Sequence, residues 1–150
     1  MGKIRIFASF DLEHDRDLYE QLLEESRAPA SGFEIAGCSR AASRTDAHDD
    51  ELRAALCRVD EVVFLCGEHT DDSLRVSAEL DIAQQEQRPY FFVWGRREIM
   101  CTRPTGAKTA DSMYSWTPTI LRDQLTLTLR RAAPSDALVT AARAEGGRKR

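Results

Sequence analysis

The run Glu61-Val62-Val63-Phe64-Leu65-Cys66-Gly67 carries the strongest strand signal in the chain. After its first residue, β-branched, aromatic and other apolar side chains follow one another without a polar interruption, and a glycine closes the run. A strand that is apolar on both faces is typical of a parallel sheet covered by helices on both sides. The run therefore predicts the centre of an α/β sheet.

Strands and helices are predicted to alternate on either side of this run. The expected strands are 3–10, 33–36, 61–66 and 90–94, and the expected helices are about 15–27, 49–59, 73–85 and a last helix that begins at Thr117-Pro118. Residues 96–115 show no periodic pattern and are expected to be irregular. This order predicts a central parallel sheet of four to five strands with helices on both faces.

The composition is that of a globular protein and excludes several classes. Hydrophobic residues make up 42% and charged residues 31% of the chain, which is too apolar for a disordered protein. A formal net charge of −4 provides no general basic field for nucleic acid. No apolar run approaches the roughly 20 residues of a membrane span. The four cysteines are scattered and do not cluster with histidines. We therefore expect no metal site, reduced thiols, a cytoplasmic location, and neither nucleic acid nor membrane as partner.

Ligands of such sheets bind at the carboxyl ends of the strands, so the loops after the strands are the candidate site. The loop Ser9–Asp15 has no glycine and several carboxylates, which disfavours both a dinucleotide-binding fold of the usual kind and an FMN phosphate site. The central strand ends at Cys66-Gly67, without the aspartate of a phospho-accepting receiver domain. Particular residues thus disfavour three common functions of this architecture.

One carboxylate lies on the apolar face of the third helix. At 100° per residue Glu79 falls inside the apolar arc, while Asp81 projects to the solvent side. The arc is formed by Val76, Leu80, Ile82 and Ala83. An inward carboxylate is costly unless it is paired or lines a pocket. Glu79 is therefore either a structural residue, bonded to a buried arginine or a loop amide, or a functional one.

Other polar residues near the strand ends have simple structural interpretations. Thr70 and Ser73 suit the cap of the third helix. Phe10 follows the first strand amid polar residues and is either the edge of the core or a stacking platform for an aromatic ring. His69 is a candidate general acid, although a lone loop histidine is more often only a surface residue.

Three segments in combination carry a resemblance to a known family. They are Ile6–Leu18, the pair of stretches Gly67–Ser73 and Val76–Ala83 around Glu79, and Tyr114-Ser115-Trp116 before the last helix. Together they resemble TIR-like domains of the Thoeris ThsB type, over about residues 3–131. We accordingly expect a TIR-like domain at 1–131. The composition of 132–150 predicts a helical extension followed by a disordered basic tail.

The resemblance implies a flavodoxin-like TIR fold and a role in bacterial antiphage signalling. Active members of this family cleave NAD, release nicotinamide and form a cyclic ADP-ribose-type signal that activates a separate effector. Their catalytic glutamate corresponds to Glu79, and Arg75 stands where members usually carry a bulky apolar residue. NAD is thus expected as the substrate, with no further cofactor. Self-association and a phage protein as trigger are expected as well.

The substrate contacts are expected in the loops after the first three strands. The predicted substrate-binding residues are Ser9, Phe10, Asp11, Ser39, Thr70 and Ser73. A single carboxylate suffices for the chemistry, because nicotinamide leaves a cationic pyridinium as a neutral molecule and needs no acid. Glu79 would hold the ribose hydroxyls and stabilise the positive charge that develops at the anomeric carbon. An adenine nitrogen or a ribose hydroxyl of the same molecule would then close the ring.

Two alternatives remain open at this level. The first is a non-catalytic TIR-like module that self-associates through the loop Gly37–Arg44. The second is a nucleoside deoxyribosyltransferase, whose fold and carboxylate chemistry are related.

Overall fold

The computed structural model describes residues 3–40 and 46–129. The strands are β1 (Ile4–Ser9), β2 (Phe33–Cys38), β3 (Glu61–Cys66), β4 (Tyr90–Trp94) and β5 (Met113–Ser115). The helices are α1 (Arg16–Ser26), α2 (Asp46–Cys57), α3 (Leu74–Gln85) and α4 (118–129), with a 3-10 turn at Thr70–Asp72. The strands form one parallel sheet in the order β2-β1-β3-β4-β5. This is the order of flavodoxin-like folds, so the predicted fold class is confirmed.

Helices cover both faces of the sheet, and all six residues of β3 are buried between them. Val63 and Leu65 pack in the cluster that holds the apolar residues of α1 and α4. Val62 and Phe64 pack on the opposite face, with α2 and α3. Successive side chains of a strand point to opposite faces of the sheet. A strand with helices on both faces therefore needs apolar side chains at successive positions. This explains the uninterrupted apolar run in the sequence.

The carboxyl ends of the first three strands lie side by side. Ala8 of β1 is in register with Cys38 of β2 on one side and with Val63 of β3 on the other. Ser9 follows Ala8, and Ser39 follows Cys38. The two serines therefore lie at the same end of the sheet. The strand order reverses between β1 and β3, which is where ligands bind in this class of fold.

The prediction that residues 96–115 are irregular is wrong at the end of that segment. Met113–Ser115 forms β5 and pairs with β4 in parallel. Three residues are too few to show a two-residue alternation, and the strand forms because β4 offers it a free edge for hydrogen bonds. Elsewhere the predicted boundaries differ from the structure by a few residues at most, and β3 and β4 begin and end where predicted.

The last described helix begins as predicted. The backbone N–H of Ile120 donates to Oγ1 of Thr117 at 3.0 Å, which makes Thr117 the N-cap of α4. Leu121 and Leu125 of this helix are buried. The predicted extension and tail at 132–150 lie outside the described residues, as do residues 41–44 of the loop 37–44. In the part of the chain that is described, no helix has the length and apolarity needed to cross a bilayer.

Candidate functional site

Glu79 lies on the inner face of α3, as the helical projection predicts. Ser73 caps this helix by accepting the N–H of Val76 at 3.2 Å. The buried residues of α3 are Val76, Glu79, Leu80, Ile82 and Ala83. Only 2% of Glu79 is exposed, whereas Asp81 is at the surface. The helix thus carries one carboxylate into the interior, close to the edge of the sheet.

Two serine hydroxyls donate hydrogen bonds to the same oxygen of Glu79. The Oγ atoms of Ser9 and Ser39 each lie 2.6 Å from Oε1 of Glu79. Ser9 is the last residue of β1, and Ser39 follows β2 directly, so neighbouring strand ends place both donors. The two serines are themselves buried. The partners described for this carboxyl are therefore hydroxyl groups rather than the guanidinium of a structural ion pair.

Burial raises the pKa of Glu79 to about 7. Desolvation is the largest effect, and it is opposed by the hydrogen bonds from Ser39 and Ser9 and by the charge of Arg75. A carboxyl group with this pKa is present in both protonation states near neutral pH. It can accept a hydrogen bond from a sugar hydroxyl, and when ionised it can stabilise a nearby positive charge.

The other predicted contacts of the first loop make bonds of their own. The ring of Phe10 is buried and stacks on Tyr19, with centroids 5.0 Å apart. Its amide donates to Oγ of Ser39 at 3.1 Å. The carboxylate of Asp11 accepts the N–H of Glu13 at 3.0 Å and lies 2.7 Å from Nδ1 of His14. The ring of Phe10 is thus placed in the core, and Phe10 reaches the Glu79 cluster through its backbone.

Thr70 and Ser73 have local partners as well. Oγ1 of Thr70 accepts the N–H of Gly67 at 2.7 Å, which ties the turn after β3 together. Ser73 is occupied as the cap of α3. Of the six predicted substrate-binding residues, the structure joins Ser9 and Ser39 to Glu79 by side-chain hydrogen bonds. The role of all six toward a substrate stays a prediction.

Sequence reasoning missed an ionic cluster that ties together the loops after β1 and β4. Arg96 donates to Asp15 at 3.0 Å and to Asp17 at 2.8 Å. Asp15 is 1% exposed. Its carboxyl group packs directly against Gly67, where a Cβ would lie 2.4 Å from both carboxyl oxygens and so would not fit. Burial raises the pKa of Asp15 despite the arginine. The position of Arg96 just after β4 is the signal that could have revealed the cluster.

Two histidines from different loops lie against each other at this edge. The rings of His14 and His69 have centroids 4.2 Å apart. The hydrogen bond to Asp11 raises the pKa of His14. His14 was not among the predicted site residues, because nothing local in the sequence links it to His69.

The described residues also form a groove at the opposite edge of the sheet. It has a volume of about 540 Å³ and lies at the amino end of β4. Its polar lining includes Arg88, Tyr90, Lys108 and Asp111, and none of the predicted site residues lines it. Within residues 3–40 and 46–129, no three histidine, cysteine, aspartate or glutamate side chains are grouped so that they could hold a metal ion.

Comparison with known proteins gives one match to a family. The model of the family described as "Thoeris protein ThsB, TIR-like domain" matches residues 7–98, which is more than half of the chain and includes Ser9, Ser39 and Glu79. No curated protein matches the chain. Among solved structures, the chain is similar to a 3-dehydroquinate dehydratase-like protein from Bifidobacterium longum. That similarity has a TM-score of 0.43 at 14% identity, covers 88% of this chain and 98% of the other, and is too low to bear on activity.

Proposed function

The chain belongs to the TIR-like domain family of Thoeris protein ThsB, and from this premise we propose that it is an NAD-cleaving enzyme. It would release nicotinamide and convert the remainder into a cyclic ADP-ribose-type signal. In the setting of antiphage defence, a phage protein would trigger this activity and a separate effector would respond to the product.

The hydrogen bonding of Glu79 is the observation that carries the proposal. A buried carboxylate that carries its charge only for the sake of the fold is usually paired with a cationic side chain. Glu79 instead receives two hydroxyl donors at the carboxyl edge of β1 and β2, where ligands of this fold class bind. Because only 2% of Glu79 is exposed, the residues around it have to move before a nucleotide sugar reaches the carboxylate.

The proposed reaction needs one carboxylate and no acid. The bond between the anomeric carbon and the pyridinium nitrogen breaks, and its electron pair leaves with nicotinamide as a neutral molecule. Ionised Glu79 stabilises the positive charge that develops on the sugar. An adenine nitrogen or a ribose hydroxyl of the same molecule then attacks the anomeric carbon. Ring closure through a hydroxyl also releases a proton.

The test is mass spectrometry of the products formed from NAD by the purified chain, alone and in lysate from phage-infected cells. Glu79→Gln should abolish nicotinamide release, because the amide cannot carry the negative charge. Asp81→Asn is the matched control, since it removes a carboxylate two residues away on the exposed side of the same helix. Equal turnover by wild type and Glu79→Gln would refute the role of Glu79.

A non-catalytic signalling module is the second candidate, and the closed environment of Glu79 favours it. In that case NAD remains intact even when the protein assembles, and mutations in the loop 37–44 break self-association. Base exchange on a deoxynucleoside without any effect on NAD would instead identify a nucleoside deoxyribosyltransferase.

A further inference from the structure

We propose that Ser9 and Ser39 are positioning residues that favour the ionised form of the Glu79 carboxyl and hold its Oε1 in place, rather than residues that contact the substrate. This inference rests on the proposed function only for its catalytic consequence. The hydrogen bonds themselves are a property of the fold.

The direction of the Ser39 hydroxyl is set by its surroundings. The amide of Phe10 donates to Oγ of Ser39 at 3.1 Å, so one lone pair of this oxygen is already used. The hydroxyl hydrogen is therefore free to point at Glu79, 2.6 Å away. The backbone N–H of Ser39 also donates to the carbonyl of Ala8 at 3.0 Å, which anchors the residue to the end of β1. A rigid sheet edge thus aims this donor.

The second donor is equally well anchored. Ser9 is in register with Phe64 in the pairing of β1 with β3, so its backbone belongs to the centre of the sheet. Its hydroxyl lies 2.6 Å from Oε1 of Glu79, and its exposure is 0%. An O–H group that donates to a carboxylate is typically about 2.5–2.7 Å from it, shorter than a bond between neutral groups. Both serine contacts fall in this range, which is also within the spread of O–H bonds to neutral acceptors.

Among the described residues, Arg75 is the charged group that acts on Glu79 beside the serines. It lies on the same helix, and its field favours the carboxylate. The ends of β1 and β2 face Glu79 with Ser9 and Ser39, which are uncharged. Because Glu79 is only 2% exposed, these two hydroxyls provide much of the compensation for burying a negative charge. Removing either one should therefore shift the equilibrium toward the protonated form.

The experiment measures the ionisation of Glu79 directly. The side-chain carboxyl carbons are labelled with ¹³C, the Glu79 signal is assigned by its loss in Glu79→Gln, and its titration is followed in wild type, Ser39→Ala and Ser9→Ala. We expect each alanine variant to raise the pKa of Glu79 by about one unit, a tenfold change in the ionisation constant. Ser39→Thr retains the donor and should titrate close to wild type.

The pH profile of nicotinamide release separates positioning from substrate contact. If the serines act through Glu79, the acidic limb of kcat/KM moves to higher pH in the alanine variants. Their activity at pH 7 is then reduced severalfold and approaches that of wild type at pH 9. If the serines instead bind substrate, KM rises at every pH and the limb does not move, which would overturn the proposal.

The titration of the wild-type protein is a test that does not require the alanine variants to fold. A Glu79 signal that titrates above pH 9 in the intact protein would mean that the serines do not hold the group ionised. The carboxyl titration needs no turnover, so the two proposals fail separately. Absence of NAD cleavage refutes the function alone, and an unshifted carboxyl titration in folded alanine variants refutes the positioning role alone.

Discussion

Two glutamates are buried at opposite ends of the strands of the sheet, and they differ in the hydrogen bonds they receive. Glu79 at the carboxyl edge accepts two serine hydroxyls on one oxygen. Glu61, the first residue of β3, is 0% exposed, and neither of its oxygens has a hydrogen-bond partner among the described residues. Thr128 is near enough to favour the ionised form of Glu61 but does not reach hydrogen-bond geometry.

The two carboxyl groups also differ in their pKa values. Burial is the main cause of both shifts, but it raises the pKa of Glu61 to about 9 and that of Glu79 to only about 7. At neutral pH Glu61 is therefore a neutral acid, while Glu79 is ionised in a large fraction of the molecules. Burial alone does not decide whether a carboxyl can carry charge at neutral pH. The serine donors and the charge of Arg75 lower the pKa of Glu79, whereas the charge of Asp60 raises that of Glu61 further.

The largest expected effect is on turnover. Glu79→Gln should lower kcat/KM for NAD at least about a hundredfold, the loss typical of removing one group that stabilises developing charge. Glu61→Gln should stay within about twofold of wild type, because the residue lies at the other edge of the sheet. Both are measured by nicotinamide release below the unfolding temperature. A comparable loss in both variants would show that turnover reports only the integrity of the fold.

The next largest effect concerns a third buried carboxylate, which is paired with an arginine. Arg96→Met leaves Asp15 buried without its charge partner and should lower the free energy of unfolding by about 2–3 kcal/mol. Arg97→Met, at the exposed neighbouring position, is the control and should change it by less than about 0.5 kcal/mol. Urea unfolding measures both, and equal values would show that the ion pair does not stabilise the fold.

A smaller effect of opposite sign is expected when the two glutamates are made apolar. Glu61→Leu should raise the free energy of unfolding at pH 7 by about 1–2 kcal/mol, because it removes a buried polar group that lacks a partner. Glu79→Leu should lower it by about 1–2 kcal/mol, because both serine hydroxyls lose their acceptor. Thermal and urea unfolding test the pair. Stabilisation by both substitutions would show that the serine donors do not distinguish Glu79 from Glu61.

The last expected effect is a gradual one, the pH dependence of stability. A raised pKa in the folded state means that stability is fully present below the unfolded pKa of about 4.5 and is lost as pH rises toward the folded pKa. Between pH 7 and pH 9, the free energy of unfolding of Glu61→Gln should therefore rise relative to that of wild type by about 1.4 kcal/mol per pH unit. For Glu79→Gln, the same relative rise should occur mainly below pH 7. Parallel curves over pH 7–9 for wild type and Glu61→Gln would contradict a pKa near 9.

The sequence predicted the elements in which the pattern of apolar residues shows which faces are buried. The apolar run of β3 and the short apolar run of β4 are long enough to show which faces are covered, and both strands were predicted correctly. The inward position of Glu79 follows from the period of α3. By contrast, β5 has three residues and was missed, because its existence depends on the free edge of β4 rather than on a pattern of its own.

The sequence did not predict which partners the buried acids have, although Ser9 and Ser39 were among the predicted site residues. Ser9 lies 70 positions from Glu79, and Arg96 lies 81 positions from Asp15. Periodicity tells which side of a helix or strand is buried, since that depends on neighbours within a few residues. Which donor meets which acceptor depends on strand order and register. The amino-acid sequence alone therefore determined the α/β sheet and turned Glu79 inward. Only the tertiary structure decided that Glu79 receives two hydroxyl donors while Glu61 receives none among the described residues, because that pairing is made by chain segments that are distant in sequence.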